Sequence, residues 1–587
     1  MNQAKQGECK MKLRTQLLMA GLILFLAIQA FAQVSLKNKP KVIPNELVIK
    51  FKTGVVLTDV LDSLSEAGIV NVSAAPRLSC VKGTVEPGRD FDQVVAQCRG
   101  QANVEYVEPN YRLYALETPP VFPNDPEFNQ LYGLHQSNDN DIDAPEAWEL
   151  TTGSANIIVG VIDTGIDYDH EDLKANIWIN PGESGGGKEN NNLDDDGNGY
   201  KDDYRGWNFI YKSNDPYDDN DHGTHCAGTV GAVGNNGRGV VGVNWNVKLM
   251  ALKFLGSDGS GGTAEAAEAI VYAVDNGAKV LSNSWGGGES SQVLKDAIQY
   301  AHDRGVLFIA ASGNDSKNTD TSANYPSNYE VPNVVSVASN DNADAVSSFS
   351  NYGRRTVDLS APGSSVYSTR PLNRYQRLSG TSMATPHVAG AAALVMSRFP
   401  GITSDRVIVR LLGGVDRKSQ FIGKMVSGGR LNVRNAMSTN PLIALTTDWS
   451  NTTNTAGPYP VSTKAVDDQS IARVRLIYQL NGASSDTLNM APGATDTYSA
   501  NIPGQPMNTT INYMVLATDN AGNRTLGPTY SFKISSEPDP GEGDGCCGSA
   551  AMAFEGVQGP VKYAVELPLN LAFFLLPLAL LRKRRKK

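Results

Sequence analysis

Short, wholly apolar runs alternate with helical spacings through the middle of this chain, and that alternation limits the fold to very few architectures. Ile157-Ile-Val-Gly-Val-Ile162, Val280-Leu-Ser-Asn-Ser284 and Val306-Leu-Phe-Ile-Ala-Ala311 lack the in-and-out pattern of a half-exposed strand. They read as strands buried on both faces. Between them lie helical patterns such as 263–276, with Thr263 as its expected N-cap and Gly277 as its stop. The expectation for residues 117–440 is an α/β domain with a mostly parallel sheet covered by helices on both faces.

At 587 residues the chain is too long for one core, and its flanks have other textures. Residues 33–116 read as a small α+β unit. Its strands are expected at Pro44–Lys52 and Val104–Tyr111, and its helices at Asp59–Ala67 and Phe91–Cys98. Residues 441–535 alternate apolar and polar positions, as in Ala472, Val474, Leu476, Tyr478 and Leu480, and read as an immunoglobulin-like β-sandwich. Residues 536–563 are a Pro/Gly/acidic linker that carries the adjacent pair Cys546 and Cys547.

The two ends look like targeting segments. Lys12 and Arg14 precede an apolar run from Leu17 to Ile28 and a small-x-small site at Ala30-Phe31-Ala32, so residues 1–32 read as an export signal. Residues 564–587 pair an apolar stretch with the basic run Arg582–Lys587, as a membrane or sorting segment would. A net charge of −10 argues against nucleic acid as a partner. Export would permit a disulfide between Cys80 and Cys98; two buried thiols are the alternative.

Three segments carry chemistry. Val161-Ile-Asp-Thr-Gly-Ile166 ends a strand with Asp163, Asp221-His-Gly-Thr-His-Cys-Ala-Gly-Thr229 presents His222, and Gly380-Thr-Ser-Met-Ala-Thr-Pro-His-Val-Ala-Gly390 presents Ser382. A serine hydroxyl is a weak nucleophile until an imidazole takes its proton, and the imidazole needs a carboxylate to fix its tautomer. Cys226 stands four residues past His222 on the same helix face and is expected to pack beneath the site, with His225 structural. Asp194, Asp196 and Asn198, then Gly199, match the start of a calcium loop. Tyr200 would offer a backbone oxygen there, and Asp202 or Asp203 would follow. Arg205 stands where an EF-hand has its last glutamate, so a complete EF-hand is not expected.

The three segments, in the order Asp, His, Ser, resemble the subtilisin family (peptidase S8). Residues 125–400 are most similar to its thermitase-like branch. Asn124-Asp-Pro-Glu-Phe128, Ser348-Phe-Ser-Asn-Tyr-Gly353 and Ala361-Pro-Gly-Ser-Ser-Val-Tyr-Ser368 add to the likeness. The resemblance implies a secreted serine endopeptidase that works through a Ser382 acyl-enzyme, with Asp163 and His222 completing the triad. It implies that Asn314, in Ala310-Ala-Ser-Gly-Asn314, donates to the oxyanion. Such donors lower the barrier by about 3–4 kcal/mol, a magnitude that comes from subtilisin itself. Ser284, Trp285 and Gly286 resemble the family's substrate-lining strand, and Asn324 the base of its S1 pocket. No carboxylate is expected in that pocket, so no strict preference for basic residues follows. Asp125, Asp172 and Asn235 resemble a second calcium site, although 237–239 departs from the usual spacing there.

The resemblance further implies that 33–116 is an inhibitory, self-cleaved propeptide ending between Tyr114 and Phe122. The C-terminal tail resembles those cut by a sorting protease. Two rival functions are an esterase using the same triad and a surface adhesion protein with a vestigial protease domain. Intact Asp163, His222, Asn314 and Ser382 count against the second.

Overall fold

A computed structural model describes residues 42–536, apart from 53, 57–59, 112–119, 288 and 484. The expected export signal, the Cys546–Cys547 linker, the C-terminal segment 564–587 and most of the expected maturation region lie outside the described residues. Among the described residues, no helix is long and apolar enough to cross a membrane. The chain divides into two compact units, 1–119 and 120–587.

The first unit is an antiparallel sheet of four strands, β1 (Val42–Phe51), β2 (Ile69–Ala75), β3 (Cys80–Val85) and β4 (Val104–Tyr111), in the order β2-β3-β1-β4. Leu47, Ile49 and Phe51 alternate along β1 and are fully buried, because one face of the sheet is covered by two helices. These are α1 (Leu61–Glu66) and α2 (Phe91–Arg99), the latter capped by Asp90, whose side chain accepts from the Gln93 N–H at 2.9 Å. Cys80 and Cys98 are free thiols; Cys98 is buried as the second alternative has it, whereas Cys80 is only half-buried. Cys98 lies on the inner face of α2 among core side chains.

The second unit begins with a nine-stranded sheet. Its strands are β5 (Gly153–Asp163), β6 (Gly206–Asn208), β7 (Asn246–Lys253), β8 (Val280–Asn283), β9 (Leu307–Ala311), β10 (Val334–Asn340) and β11 (Leu359–Pro362). After a separate hairpin of β12 (Val366–Arg370) and β13 (Arg374–Leu378), β14 (Asp416–Arg417) and β15 (Gly429–Arg430) complete the sheet. The order is β14-β15-β11-β10-β9-β8-β5-β7-β6, and every pairing except β14 with β15 is parallel. Val159 and Val161 of β5 face one core while Ile158 and Ile162 face the other, as wholly apolar strands require. The helix Thr263–Asp275 is capped by Gly262 rather than Thr263. Gly262 takes the extended backbone of a cap, so Thr263 already lies inside the first turn.

A β-sandwich follows, with two antiparallel sheets ordered β16-β17-β21-β20 and β19-β18-β22-β23, and β24 added to β22. The strands are β16 (Leu442–Ala444), β17 (Tyr459–Val466), β18 (Ile471–Leu480), β19 (Asp486–Asn489), β20 (Ala491–Pro492), β21 (Thr497–Ile502), β22 (Thr510–Asp519), β23 (Arg524–Leu526) and β24 (Tyr530–Lys533). Tyr459, Val461 and Ile502 from one sheet meet Leu476, Ile511 and Tyr513 from the other in a single core. Arg354 donates to Asp448 at 2.6 Å and Arg406 makes a two-pronged bond to Asp496 at 2.8 Å, so the sandwich is tied to the α/β domain at two points.

Candidate active site and cation clusters

Asp163 is the last residue of β5, at the carboxyl end of a parallel strand, where open α/β sheets gather their ligand sites. It is fully buried. Its Oδ1 accepts from His222 Nδ1 at 2.7 Å and from the Thr164 N–H at 2.7 Å. With Nδ1–H committed to the carboxylate, the free lone pair of the neutral imidazole lies on Nε2, the atom that must take a proton from a nucleophile. Burial opposes the imidazolium, but the Asp163 carboxylate outweighs it, and the His222 pKa stands well above the ordinary histidine value.

His222 opens the helix α3 (His222–Gly231), whose first turn is fastened from outside. Asp218 accepts from the Thr224 N–H at 2.8 Å and from Thr164 Oγ1 at 2.7 Å, tying the helix start to the loop after Asp163. A Cβ on Gly223 would stand 2.1 Å from the Gly165 carbonyl, so only glycine permits that approach.

Ser382 is the second residue of the buried helix α4 (Thr381–Arg398). Its Oγ donates to the Ser284 carbonyl at 2.9 Å, and Ser284 Oγ donates back to the Ser382 carbonyl at 2.8 Å. Among the described residues no hydrogen bond joins Ser382 to His222; such contacts commonly form only when substrate closes the site. Cys226 bridges the two residues from below. Its sulfur lies 4.0 Å from His222 Nδ1, and its thiol donates to the Ser382 carbonyl at 3.5 Å. Burial raises the thiol pKa, so Cys226 is a packed group and not a second nucleophile. His225 sits with Nε2 at 3.1 Å from the Val366 carbonyl, and burial pushes its pKa down to about 3. It is neutral and structural.

Asn314 follows β9 and is exposed. Thr381 donates to its Oδ1 twice, from N–H at 2.9 Å and from Oγ1 at 3.0 Å. This pins the amide with its NH2 end free. The Ser382 N–H lies beside it and, so close to a helix start, has no acceptor within the helix. The two donors suit an anionic oxygen.

Gly287 N–H donates to the Tyr325 carbonyl at 2.9 Å. Cβ atoms on Gly286 and Gly313 would stand 3.0 and 3.1 Å from Asn324 Nδ2, which places Asn324 between the substrate-type strand and the Asn314 loop. Its Nδ2 is buried without a hydrogen-bond partner, an unused donor. Trp285 turns its side chain away from the surface that the resemblance gives to the substrate backbone. The half-buried ring packs edge-on against Phe254 at 4.8 Å and Phe308 at 6.4 Å, on the margin of the core.

The acidic loop also rearranges the expected set. Asp196 and Asp203 do converge, but with Glu183, and one oxygen of each lies within 4.8 Å of the others. Asn180 donates to Asp196 at 2.9 Å and to Asp203 at 2.8 Å, and Asn198 donates to Asp203 at 2.9 Å. Asp194 is spent on the backbone N–H groups of Gly197, Asn198 and Gly199. The Tyr200 ring packs against Trp207 and Tyr272, and its hydroxyl donates to Glu268 at 3.1 Å. Burial raises the pKa of Glu183 and of Asp203. Glu183 Oε2 is buried with no hydrogen-bond partner, and three crowded carboxylates match the hard-oxygen donor set that calcium takes.

At the other expected cluster, Asp125 accepts from the Asn235 N–H at 2.7 Å, and Asn236 Nδ2 donates to Asp172 at 3.0 Å. Asn235 spends its own side-chain oxygen on the Asn124 N–H at 3.3 Å. Glu183, Asn180 and Asn236 were missed from sequence. The available signal for the first two was a pair of oxygen-bearing residues flanking Pro181-Gly182, upstream of the acidic loop.

Residues 154–412 match the model of the subtilase family, Peptidase S8. The chain is 33% identical over 404 residues to the thermophilic serine proteinase of Bacillus sp. (strain AK1), covering 68% of this chain and 89% of that protein. It is 37% identical over 316 residues to thermitase of Thermoactinomyces vulgaris, covering 54% of this chain and 99% of thermitase. The chain belongs to the subtilase family. This subtilase is therefore a serine endopeptidase, and its substrates are proteins. Residues 29–110 match the fervidolysin N-terminal prodomain, so the first unit is a prodomain and a partner of the protease it precedes. Subtilisin DY of Bacillus licheniformis is 41% identical over 258 residues, which cover 44% of this chain and 82% of that protein.

Proposed function

We propose that this subtilase is a secreted, calcium-stabilised endopeptidase in which Ser382 attacks the scissile carbonyl and His222 takes its proton. Asp163 holds the imidazole. The Asn314 amide and the Ser382 N–H bind the oxyanion of the tetrahedral intermediate. The acyl-enzyme on Ser382 is then released by water through the same base. Substrate pairs its backbone with Ser284–Gly287, and Asn324 lines the pocket for the residue before the cut. The observation that carries this reading is the 2.7 Å contact of His222 Nδ1 with buried Asp163, together with Ser382 in the first turn of the helix Thr381–Arg398.

Calcium would be held by Glu183, Asp196 and Asp203, with a second ion near Asp125 and Asp172. Its contribution is to offset carboxylate repulsion and so stabilise the fold. The prodomain inhibits until self-cleavage between Tyr114 and Phe122. Export by residues 1–32, and retention or sorting through 564–587 by a separate protease, complete the proposal. The test is a casein digest by the secreted protein with a serine-directed phosphonate. Digestion that stops with one phosphonate per molecule, mapped to Ser382, supports the reading. Full digestion with labelled Ser382 overturns it.

A further inference from the structure

The residue before His222 is held in a backbone conformation it would not choose alone. Asp221 has φ 95° and ψ −22°, a region L side chains rarely adopt. It occupies the N-cap position of α3, yet its side chain caps nothing; Asp218 binds the helix N–H groups instead. Asp221 Oδ2 accepts from Arg370 Nε at 2.7 Å, across 149 residues of sequence. The pair is partly open to solvent, 35% for Arg370 and 29% for Asp221.

Arg370 ends β12, and the β12–β13 hairpin lies along α3 for more than one turn. Thr369 Oγ1 donates to the Thr224 carbonyl at 2.8 Å and Ser368 Oγ to the His225 carbonyl at 2.8 Å. His225 Nε2 reaches back to the Val366 and Gln376 carbonyls. A Cβ on Gly228 would stand 2.1 Å from Thr369 Oγ1, so the approach is as close as a glycine allows. The hairpin is thus a brace for the helix that begins at His222, and Arg370 fastens it to the residue adjoining the imidazole.

The charged and titratable groups around His222 come from several elements. Asp163 faces it from β5, and Cys226 and His225 belong to its own helix, with His387 of α4 near His225. Asp218 acts on the helix start. Lys253 of β7 is matched by Asp219 at 2.6 Å, as Arg370 is by Asp221. Breaking the second pair uncovers one charge at residue 221 or 370, and its sign depends on which partner is removed.

We propose that Arg370 is a positioning residue for His222: it ties the hairpin to the strained residue before the imidazole and neutralises the carboxylate there. The proposal rests on His222 being the catalytic base. The test uses mature Arg370→Leu, Arg370→Lys, Asp221→Asn and the Arg370→Leu/Asp221→Asn double variant, with kcat, KM and pH profiles on a short chromogenic peptide. Arg370→Leu should lose about tenfold in kcat while KM stays within about twofold. It leaves an unpaired carboxylate that favours imidazolium, so the acidic limb of kcat/KM should rise by about half a pH unit. Asp221→Asn leaves an unpaired guanidinium, and its limb should fall by a similar amount. The double variant should return toward the native limb, and Arg370→Lys should recover most of kcat. Limbs that stay put in both single variants, or move the same way in both, overturn the proposal. If Arg370→Leu does not fold, an unmoved limb in Asp221→Asn overturns it alone. A native enzyme without any acidic limb would instead defeat the assignment of His222 as base.

Discussion

Asp163 and Glu183 are both fully buried carboxylates, and each has one oxygen without a hydrogen-bond partner. They differ in what surrounds them. Asp163 meets the imidazole of His222 at 2.7 Å. Glu183 accepts from the N–H groups of Asp195 at 2.5 Å and Asp196 at 3.1 Å, and across from it stand the carboxylates of Asp196 and Asp203. A buried negative charge persists only when something compensates it. In the first place the chain supplies the compensating group, and that group can take a proton during a reaction. In the second the chain supplies amide N–H groups and the Tyr272 hydroxyl, which donates to Asp203, and the proposed calcium would supply the rest. On the proposed reading, one buried carboxylate serves rate and the other serves stability.

That contrast predicts opposite consequences for removing each charge. Asp163→Asn should lower kcat/KM by about 10⁴ while the melting temperature in calcium moves by no more than a few degrees, because the amide keeps the shape but selects the wrong tautomer. A loss below tenfold would remove Asp163 from the proton-transfer machinery. Asn314→Ala should cost about 10²–10³ in kcat, with KM little changed, since its NH2 acts on charge that develops only after attack. Equal loss in kcat and gain in KM would instead make Asn314 a substrate-binding group.

The effects at the acidic cluster are smaller and fall on stability. EGTA should lower the melting temperature of the mature enzyme by about 5 °C relative to millimolar calcium, from a binding contribution of about 2–3 kcal/mol. Glu183→Gln should shrink that difference by at least about half, because it removes one of three charges that hold the ion. Identical melting curves in EGTA and calcium for the native enzyme would erase the contrast between the two sites.

The same contrast separates what was legible in the sequence from what was not. Asp163, His222 and Ser382 each lie in a short segment whose neighbours are dictated locally: a strand end, and two helix starts rich in glycine and small residues. The strands of the central sheet were legible because burial on both faces leaves unbroken apolar runs such as Ile157–Ile162. Glu183 was not, because only the folded loop brings it across from Asp196 and Asp203. The packing of the Trp285 ring was not legible, for a related reason. A strand's register says which backbone lines a cleft, whereas the core behind it decides where a large ring goes. The Asp221–Arg370 contact spans 149 residues and carries no local signal. Cys80 and Cys98 could not be resolved by counting, since pairing depends on where α2 turns its inner face.

On the proposed mechanism, Ser382 is the nucleophile that both matures and runs this protease. The direct measurement is to purify the full precursor as Ser382→Ala beside the native chain and follow both by mass spectrometry, without added protease. The native chain should convert to a form beginning between Tyr114 and Phe122, and Ser382→Ala should stay folded and uncut under the same conditions. Conversion of the Ser382→Ala precursor at the native rate would contradict the account.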